Sequence, residues 1–535
     1  MACLMNLACK VKNQVCENYV AMAIQTLCAC LEVRKAVVEE KGGISAFVSL
    51  SSHPSIQFKY CASVSICLLT SEESSRPYIV KEALSALLRL STNTSINIQR
   101  ETISAMANLA DSLDTHPLLL ARGTVFKHLK EMMVTSVDSM VVRGITQFFA
   151  SVSINDFAKE QMMDHSILSY LIKFSRRTDT STQRYSSLAI CNLSLHSKQK
   201  ESVVLHDGLL KVLLFLSKCS DLDVERCTIL TIAALALGTN VSCKETIVNG
   251  GAIQTVMKAM HYPDTLMKQC SSLALNSLVL SKTHSIKVKI NGTEKDLLAI
   301  LSLLNVPDDE CVHNSVYALG SLIESPEIQK SFVSKGYVKS IVKIYPSASI
   351  EIKRACGYFF SVLAECVGCH EALVESGGME SIVKLAGLVD LECQLYGAFS
   401  LAFLASNPDL QVPLVKLGAV QHLVSMMANE SEPRHYAGLA LLKLADNFEN
   451  HIQIAEEGGI QALLKLGRSR AADNEVQYKA SITVGNLASK AVANLPKLSR
   501  FGDSGIGTGA SHFQKNSSRL PRKQQGRRKK EGNEN

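Results

Sequence analysis

An all-α solenoid is the fold this sequence predicts, and three observations carry the prediction. The chain has 535 residues, too many for one globular core, since such cores stop growing at roughly 250–300 residues. Large aliphatic side chains recur in apolar, helix-like stretches at Leu27, Leu68, Leu109, Val152, Leu193, Leu235, Leu278, Leu322, Leu363, Leu404, Leu444 and Leu487, at steps of 40 to 44 residues. Glycines ahead of apolar helix starts keep the same beat, with ten steps over the 416 residues from Gly43 to Gly459. A fixed period of this length is the mark of a stacked repeat.

Each unit reads as a short helix, a glycine, a second helix and a longer third helix. The glycines at Gly43, Gly123, Gly208, Gly251, Gly292, Gly336, Gly378, Gly418 and Gly459 are expected to make the sharp turn out of the first helix, where a Cβ would clash. Near Glu82 and Ser166 a helix start is expected without a glycine. Pro54, Pro263, Pro307, Pro346 and Pro433 stand ahead of third helices, where a missing N–H costs nothing. Four residues before the aliphatic column the side chain is often small, as at Ala23, Ala105, Ala189, Ala274, Ala318 and Ala440. One such unit cannot bury its apolar face alone, but stacked units form a continuous core.

The period predicts about eleven full units plus a partial N-terminal one over residues 1–495. Projected backward, Ala2 aligns with Gly43 and Leu7 with Val48, so the array is expected to open at the second helix of a unit. That opening is either an atypical cap or the edge of a longer array. Residues 496–535, rich in Gly, Ser, Lys and Arg, are expected to form a disordered basic tail.

The formal charge of +7 belongs to that tail. From Pro496 onward there are ten Lys/Arg and three Asp/Glu, which leaves 46 of each sign in residues 1–495. The repeat body is therefore not a strongly basic nucleic-acid binder. Many of the seventeen cysteines, among them Cys67, Cys191, Cys227 and Cys356, fall in apolar helical stretches, where Cys acts as a small hydrophobe. No secretory signal opens the chain, so a reducing compartment is expected. Ala2 excludes N-myristoylation, and Cys3 and Cys9 read as buried thiols rather than acylation sites. The longest apolar stretch, residues 228–237, falls short of the ~20 residues that span a bilayer.

Catalytic and cofactor motifs fail one by one. Cys366-Val-Gly-Cys369-His370 matches the pattern for covalent haem attachment, but it lies between repeats in a Cys-rich chain and reads as coincidence. Cys356 and Cys393 offer that segment only a loose second pair for zinc. His370-Glu371 opens a zincin-like motif, yet Val374 stands where the second His must be. No Gly-Lys dipeptide occurs, so there is no P-loop, and Gly505, Gly507 and Gly509 follow no strand. The expectation is a chain without cofactor, metal or enzymatic activity.

The segments RETISAMANLADS (100–112), RYSSLAICNLS (184–194) and YKASITVGNLAS (478–489) resemble the third helix of armadillo repeats. The lead-ins IVNGGAIQTVMKAM and LVKLGAVQHLVSMM resemble the turn before it. The resemblance covers residues 2–495, with HEAT repeats as the neighbouring possibility. The long uninterrupted array is similar to the vacuole-anchoring and flagellar central-apparatus armadillo proteins. The resemblance implies a right-handed superhelix whose third helices line a concave groove for extended peptides. It also implies asparagines one place before the aliphatic column to clamp a partner's backbone. Here only Asn108, Asn192 and Asn486 are asparagine in that column, and the chain has no tryptophan. A nuclear transport adaptor of importin-α type is therefore the second reading, behind a general scaffold.

Two further columns mark candidate groove residues. Tyr317, Tyr358 and Phe399 stand one helical turn before the asparagine place in successive units, on the same face as Phe403. Lys443 occupies the asparagine place one unit later. The rings read either as anchors for a partner or as packing between units. Arg100, Arg143, Arg184, Arg226 and Arg354 form a basic row at third-helix starts, where the macrodipole disfavours cations. The row hints at an anionic partner; the alternative is pairing with acids such as Glu101, Glu225 or Glu351. The expected function is a non-enzymatic scaffold that binds extended, acidic segments of partner proteins, with no membrane insertion. Nucleic acid is expected only weakly, through the tail. Residues 519–530 (RLPRKQQGRRKK) resemble a nuclear-import signal, against which stands a solubilising tail, so the expected location is cytoplasmic with nuclear entry as the alternative.

Overall fold

In the computed structural model the third helices are the longest regular elements of most units. They are α1 (Gln14–Ala29), α2 (Ile56–Thr70), α3 (Ile96–Ala110), α4 (Ser139–Val152), α5 (Thr180–Ser194), α6 (Leu222–Ala236), α7 (Thr265–Val279), α8 (Asp309–Leu322), α9 (Ile350–Glu365), α10 (Leu391–Leu404), α11 (Pro433–Leu444) and α12 (Asn474–Ala493). The structure describes residues 3–493 except 5–6, 8–9, 11–12, 41, 122, 197, 199, 280–293, 429–431 and 469–473. The expectations for Ala2, Cys9, Gly292 and residues 494–535 lie outside the described residues. Among the described residues there is no strand.

Third-helix starts are set by short polar side chains. Asn13, Asp138, Asp179, Asp221, Asp308 and Asp390 each sit at the N-cap in an extended backbone and accept from the N–H groups of the first turn. That satisfies donors with no partner inside the helix. The far ends are closed by a buried side chain from the next unit's first turn. His116, His370 and His451 place Nε2 2.7–2.8 Å from the carbonyls of Ala110, Ala364 and Ala445. Gln411 donates to the Ala405 carbonyl at 2.9 Å in the same role.

The turns differ in detail from expectation. Gly42, not Gly43, takes the left-handed backbone, at φ +92°. Gly43 is needed for another reason, because a Cβ there would lie 2.0 Å from the Val37 carbonyl oxygen. Ser166 makes the same left-handed turn at φ 58° without being glycine. The expected break near Glu82 does not exist. Arg76–Ser91 is one continuous helix with Pro77 in its first turn, and no glycine interrupts it.

Each third helix packs on the one before and the one after, from α1 to α12. The aliphatic column lies inside this stack, with Leu109, Val152, Leu193, Leu235, Leu278, Leu322, Leu363, Leu404 and Leu444 fully buried and Leu487 nearly so. Burying each side chain of this size favours folding by roughly 1.5–3 kcal/mol before chain entropy is counted. The first two units depart from the column. Leu27 is 36% exposed and Leu68 half-buried, and Cys28 and Leu69 take the inward places. One residue is a 100° turn of the helix, enough to exchange inside for outside. Farther along, Phe332, Phe359 and Phe360 pack edge-on at 5.6–5.8 Å between ring centroids.

Candidate partner-binding face

The basic row is paired across unit boundaries. Arg100 reaches Asp138 at 2.6 Å, Arg143 reaches Asp179 at 2.9 Å, Arg184 reaches Asp221 at 2.5 Å and Arg354 reaches Asp390 at 2.6 Å. Arg226 pairs with Asp264, and Gln269 donates to Asp308 at 2.8 Å. Every one of these aspartates also accepts a backbone N–H at the start of the following third helix. A single carboxylate thus caps one helix and ties it to the previous one. Each charge in the row Arg100, Arg143, Arg184, Arg226 and Arg354 is thus answered by a carboxylate of the next unit, which favours pairing over a row open to an anionic segment, although about a third to a half of each side chain stays exposed. The expected local partners Glu101, Glu225 and Glu351 are not the ones used.

The Arg354 guanidinium, against the opposing effect of burial, draws the Asp390 carboxyl down to about 2. A folded value below the ordinary ~3.9 means this contribution is complete above pH ~4 and is lost as pH falls toward 2. Asp390→Ala removes both the cap and the ion pair. It should lower the melting temperature at pH 6, the cap alone being worth about 0.5–2 kcal/mol. The gap to the parent should narrow between pH 4 and pH 2. A gap that keeps its full size down to pH 2 would contradict the linkage.

Within the run from α3 to α10 the ladder is interrupted between α8 and α9. His313 takes the arginine place, and Ser349 takes the aspartate place without capping α9. The buried Ser349 Oγ has no hydrogen-bond partner. Aromatic stacking occupies this junction instead. The Tyr317 and Tyr358 rings stack at 4.8 Å and 21°, and the Tyr317 and Tyr396 hydroxyls lie 3.4 Å apart. Tyr358 is 9% exposed and donates its hydroxyl to Glu324 at 2.5 Å. Burial, then the Glu324 charge, hold its phenol well above the ordinary range. The strip continues through Phe399, which meets Phe403 at 4.7 Å and Tyr436 at 5.1 Å.

The structure therefore divides the predicted rings. Phe399 and Tyr358 are buried packing, whereas Tyr317 and Phe403 are half-buried with part of each ring toward solvent. Tyr396 and Tyr436, absent from the sequence reading, belong to the same strip. Asn108 and Asn192 turn their amides back to the preceding unit, donating to Thr70 at 3.1 Å and Ser153 at 2.9 Å. Lys443 lines an open crevice of about 380 Å³ with Ser406, Pro408, Gln411, Asp446, Asn447 and Phe448. Burial pushes the Asp446 carboxyl up, while Lys443 and Lys479 draw it back.

Two carboxylates stand at the ends of successive third helices, and the first of them, Glu324, accepts the Tyr358 hydroxyl of the tyrosine stack. Glu324 follows α8, and Glu365 closes α9. Burial of the Glu365 carboxyl and then the Glu324 charge push it above the usual range, and no cation pairs with it among the described residues. Elsewhere the side chains offer little reactive chemistry. Burial pushes the Cys61, Cys191 and Cys356 thiols up to about 12, which keeps them protonated. His370 of the haem-like segment is buried and spends Nε2 on the Ala364 carbonyl. Among the described residues no group of three or more His, Cys, Asp or Glu could hold a metal ion. Among them, too, no helix is long and apolar enough to cross a membrane.

No protein-family model and no curated protein sequence matches the chain. Solved structures do. A structure from work on the phosphorylation switch that controls the interaction between cadherin and beta-catenin is 13% identical, with a TM-score of 0.73, over 91% of this chain and 99% of that one. An engineered protein is 24% identical over 83% of this chain and 98% of its own, with a TM-score of 0.47. A designed armadillo repeat protein is 19% identical over 44% of this chain and 99% of its own, with a TM-score of 0.41. The first likeness shows the fold: an armadillo-type all-α solenoid.

Proposed function

We propose that this chain is a non-enzymatic protein-interaction scaffold, which holds extended segments of partner proteins along the face lined by the third helices. The observation that carries the reading is the unbroken stacking of α1 to α12, which sets equivalent side chains of successive units in one long row. Such a surface suits an extended chain, whose residues repeat along a line, better than a small molecule. The strip from α8 to α11 offers the half-exposed rings of Tyr317, Phe403 and Tyr436 with Lys443 at its end. Rigid aromatic groups beside polar ones are the usual anchors of an interface.

The test compares the full chain with its Tyr317→Ala, Phe403→Ala, Lys443→Ala triple variant in affinity capture read by mass spectrometry. Proteins held by the parent should be lost from the variant, while a control variant with exposed Lys127, Lys211 and Lys218 changed to Glu retains them. Helix content by circular dichroism establishes that both variants are folded. Retention of the same proteins by a folded triple variant would end this assignment of the face.

A further inference from the structure

The edge of the solenoid where the third helices end is apolar along four successive units. Two residues beyond the aliphatic column stand Ile154, Leu195 and Leu237, whereas the same place in later units is polar, at Glu324, Glu365, Ser406 and Asp446. Leu113, Phe157 and Val241 join them from the segments that follow α3, α4 and α6. All six are exposed, from 38% at Leu237 to 65% at Leu113. Contacts between units make this one continuous edge. Asp111, just past α3, accepts from Gln147 of α4 at 3.0 Å. Phe157 and Leu195 border the same crevice of about 390 Å³, across which Lys198 reaches back to Glu160 at 3.4 Å. Lys200 donates to the Leu237 carbonyl at 3.0 Å.

The charges along this edge are divided. In its first half, residues 111–118 and 154–160, stand Asp111, Asp114, Asp156 and Glu160 against Lys159 alone. Lys159 is itself buried and spent on Asp156 at 2.8 Å. In its second half, residues 195–201 and 237–245, stand Lys198, Lys200 and Lys244 against Glu201 and Glu245. A row that is apolar throughout, acidic at one end and basic at the other, complements itself when turned end to end. We infer that this edge is the docking site of a second copy of the chain, in an antiparallel two-fold pairing centred on the crevice between Phe157 and Leu195.

Area and spacing both suit that occupant. Six large apolar side chains, each about half exposed, present ~500 Å² together. A standard interface takes ~800 Å² from each partner, of which ~500 Å² is apolar. Along the row the apolar groups recur with the helix spacing of ~8–10 Å. A partner of another kind would have to match that spacing, whereas a second copy carries it by construction. In the antiparallel arrangement Leu113 of one copy meets Leu237 and Val241 of the other, and Asp111 and Asp114 meet Lys244. A patch that pairs with itself across a two-fold axis closes at two copies.

The experiment is sedimentation equilibrium of the full chain across the micromolar range. The parent's mass should rise from 58.2 kDa at the dilute end toward twice that value and stop there. The variant Ile154→Ser, Phe157→Ser, Leu195→Ser should remain at 58.2 kDa throughout. A control with Val367→Ser, Phe448→Ser and Ile452→Ser alters exposed apolar residues of later units and should pair as the parent does. Asp114→Lys should weaken pairing by about 3–10-fold at low salt and little at high salt, since the effect is electrostatic and the two-fold axis counts it twice. Melting curves by circular dichroism establish that every variant is folded. A parent that stays at 58.2 kDa, or one whose mass grows beyond two copies, overturns the proposal. So does a dimer that is lost equally in the control, that survives the Ile154, Phe157, Leu195 changes, or that ignores Asp114→Lys. The Tyr317, Phe403, Lys443 variant should pair like the parent, so this inference and the reading of the groove stand or fall separately.

Discussion

Leu193→Ala is expected to destabilise its region of the solenoid by about 2–5 kcal/mol, the usual cost of removing a buried leucine side chain together with the cavity left behind. Leu193 is fully buried in α5, which packs on α4 and α6. Asn192 beside it anchors the preceding unit through Ser153 at 2.9 Å. In a stacked array each unit contacts only its neighbours, so the loss should stay local. Amide hydrogen exchange should quicken across residues 139–236, while α10 and α11 keep their protection. Asn192→Ala is the milder comparison, at about 0.5–1.5 kcal/mol for one hydrogen bond. Acceleration spread evenly from α1 to α12 would mean that the array unfolds as one unit, contrary to this account.

The parts of the fold legible in the sequence are those written in local periodicity. The aliphatic column locates the third helices because a residue that must face the core of every unit leaves the same mark in each. The turns were harder to read. Gly42 and Gly43 do different jobs, and a count of glycines cannot say which has the left-handed backbone and which has the carbonyl against it. Contacts between units leave no local pattern at all. Arg143 and Asp179 lie 36 residues apart, so a search for acids close by in the sequence finds Glu101 or Glu225 and misses the ladder. A signal was present nonetheless. Asp138, Asp179, Asp221, Asp264, Asp308 and Asp390 each stand five residues before the basic-row place of their own unit, where a helix start needs a cap. Tyr396 and Tyr436 were missed for a related reason. They lie three residues before the ring column at Phe399 and the matching place in α11, off the row though on the same surface.

The ladder reverses what charge alone would predict for Arg143, Arg184 and Arg226. Were these side chains an open basic row, changing all three to Glu would leave the fold intact and act only on binding. With the pairs in place, each new glutamate faces the N-cap aspartate of the next third helix: Asp179, Asp221 and Asp264. The aspartate must then hold its helix start beside a like charge, without the guanidinium that drew its pKa down at Asp221 and Asp264. Three consecutive junctions, from α4 to α7, are weakened together, and neighbouring junctions couple rather than add. The triple reversal should therefore lower the melting temperature clearly. Reversing Lys127, Lys211 and Lys218, which are exposed and outside the ladder, changes the net charge equally and should shift it little. High salt should restore part of the loss, since screening softens the new repulsion. Adding Asp179→Asn to Arg143→Glu should restore more, because asparagine still caps the helix but carries no charge to repel. Equal melting temperatures for the two triple variants would show that the arginine–aspartate pairs contribute nothing to stacking, and the basic row would again be open to an anionic partner.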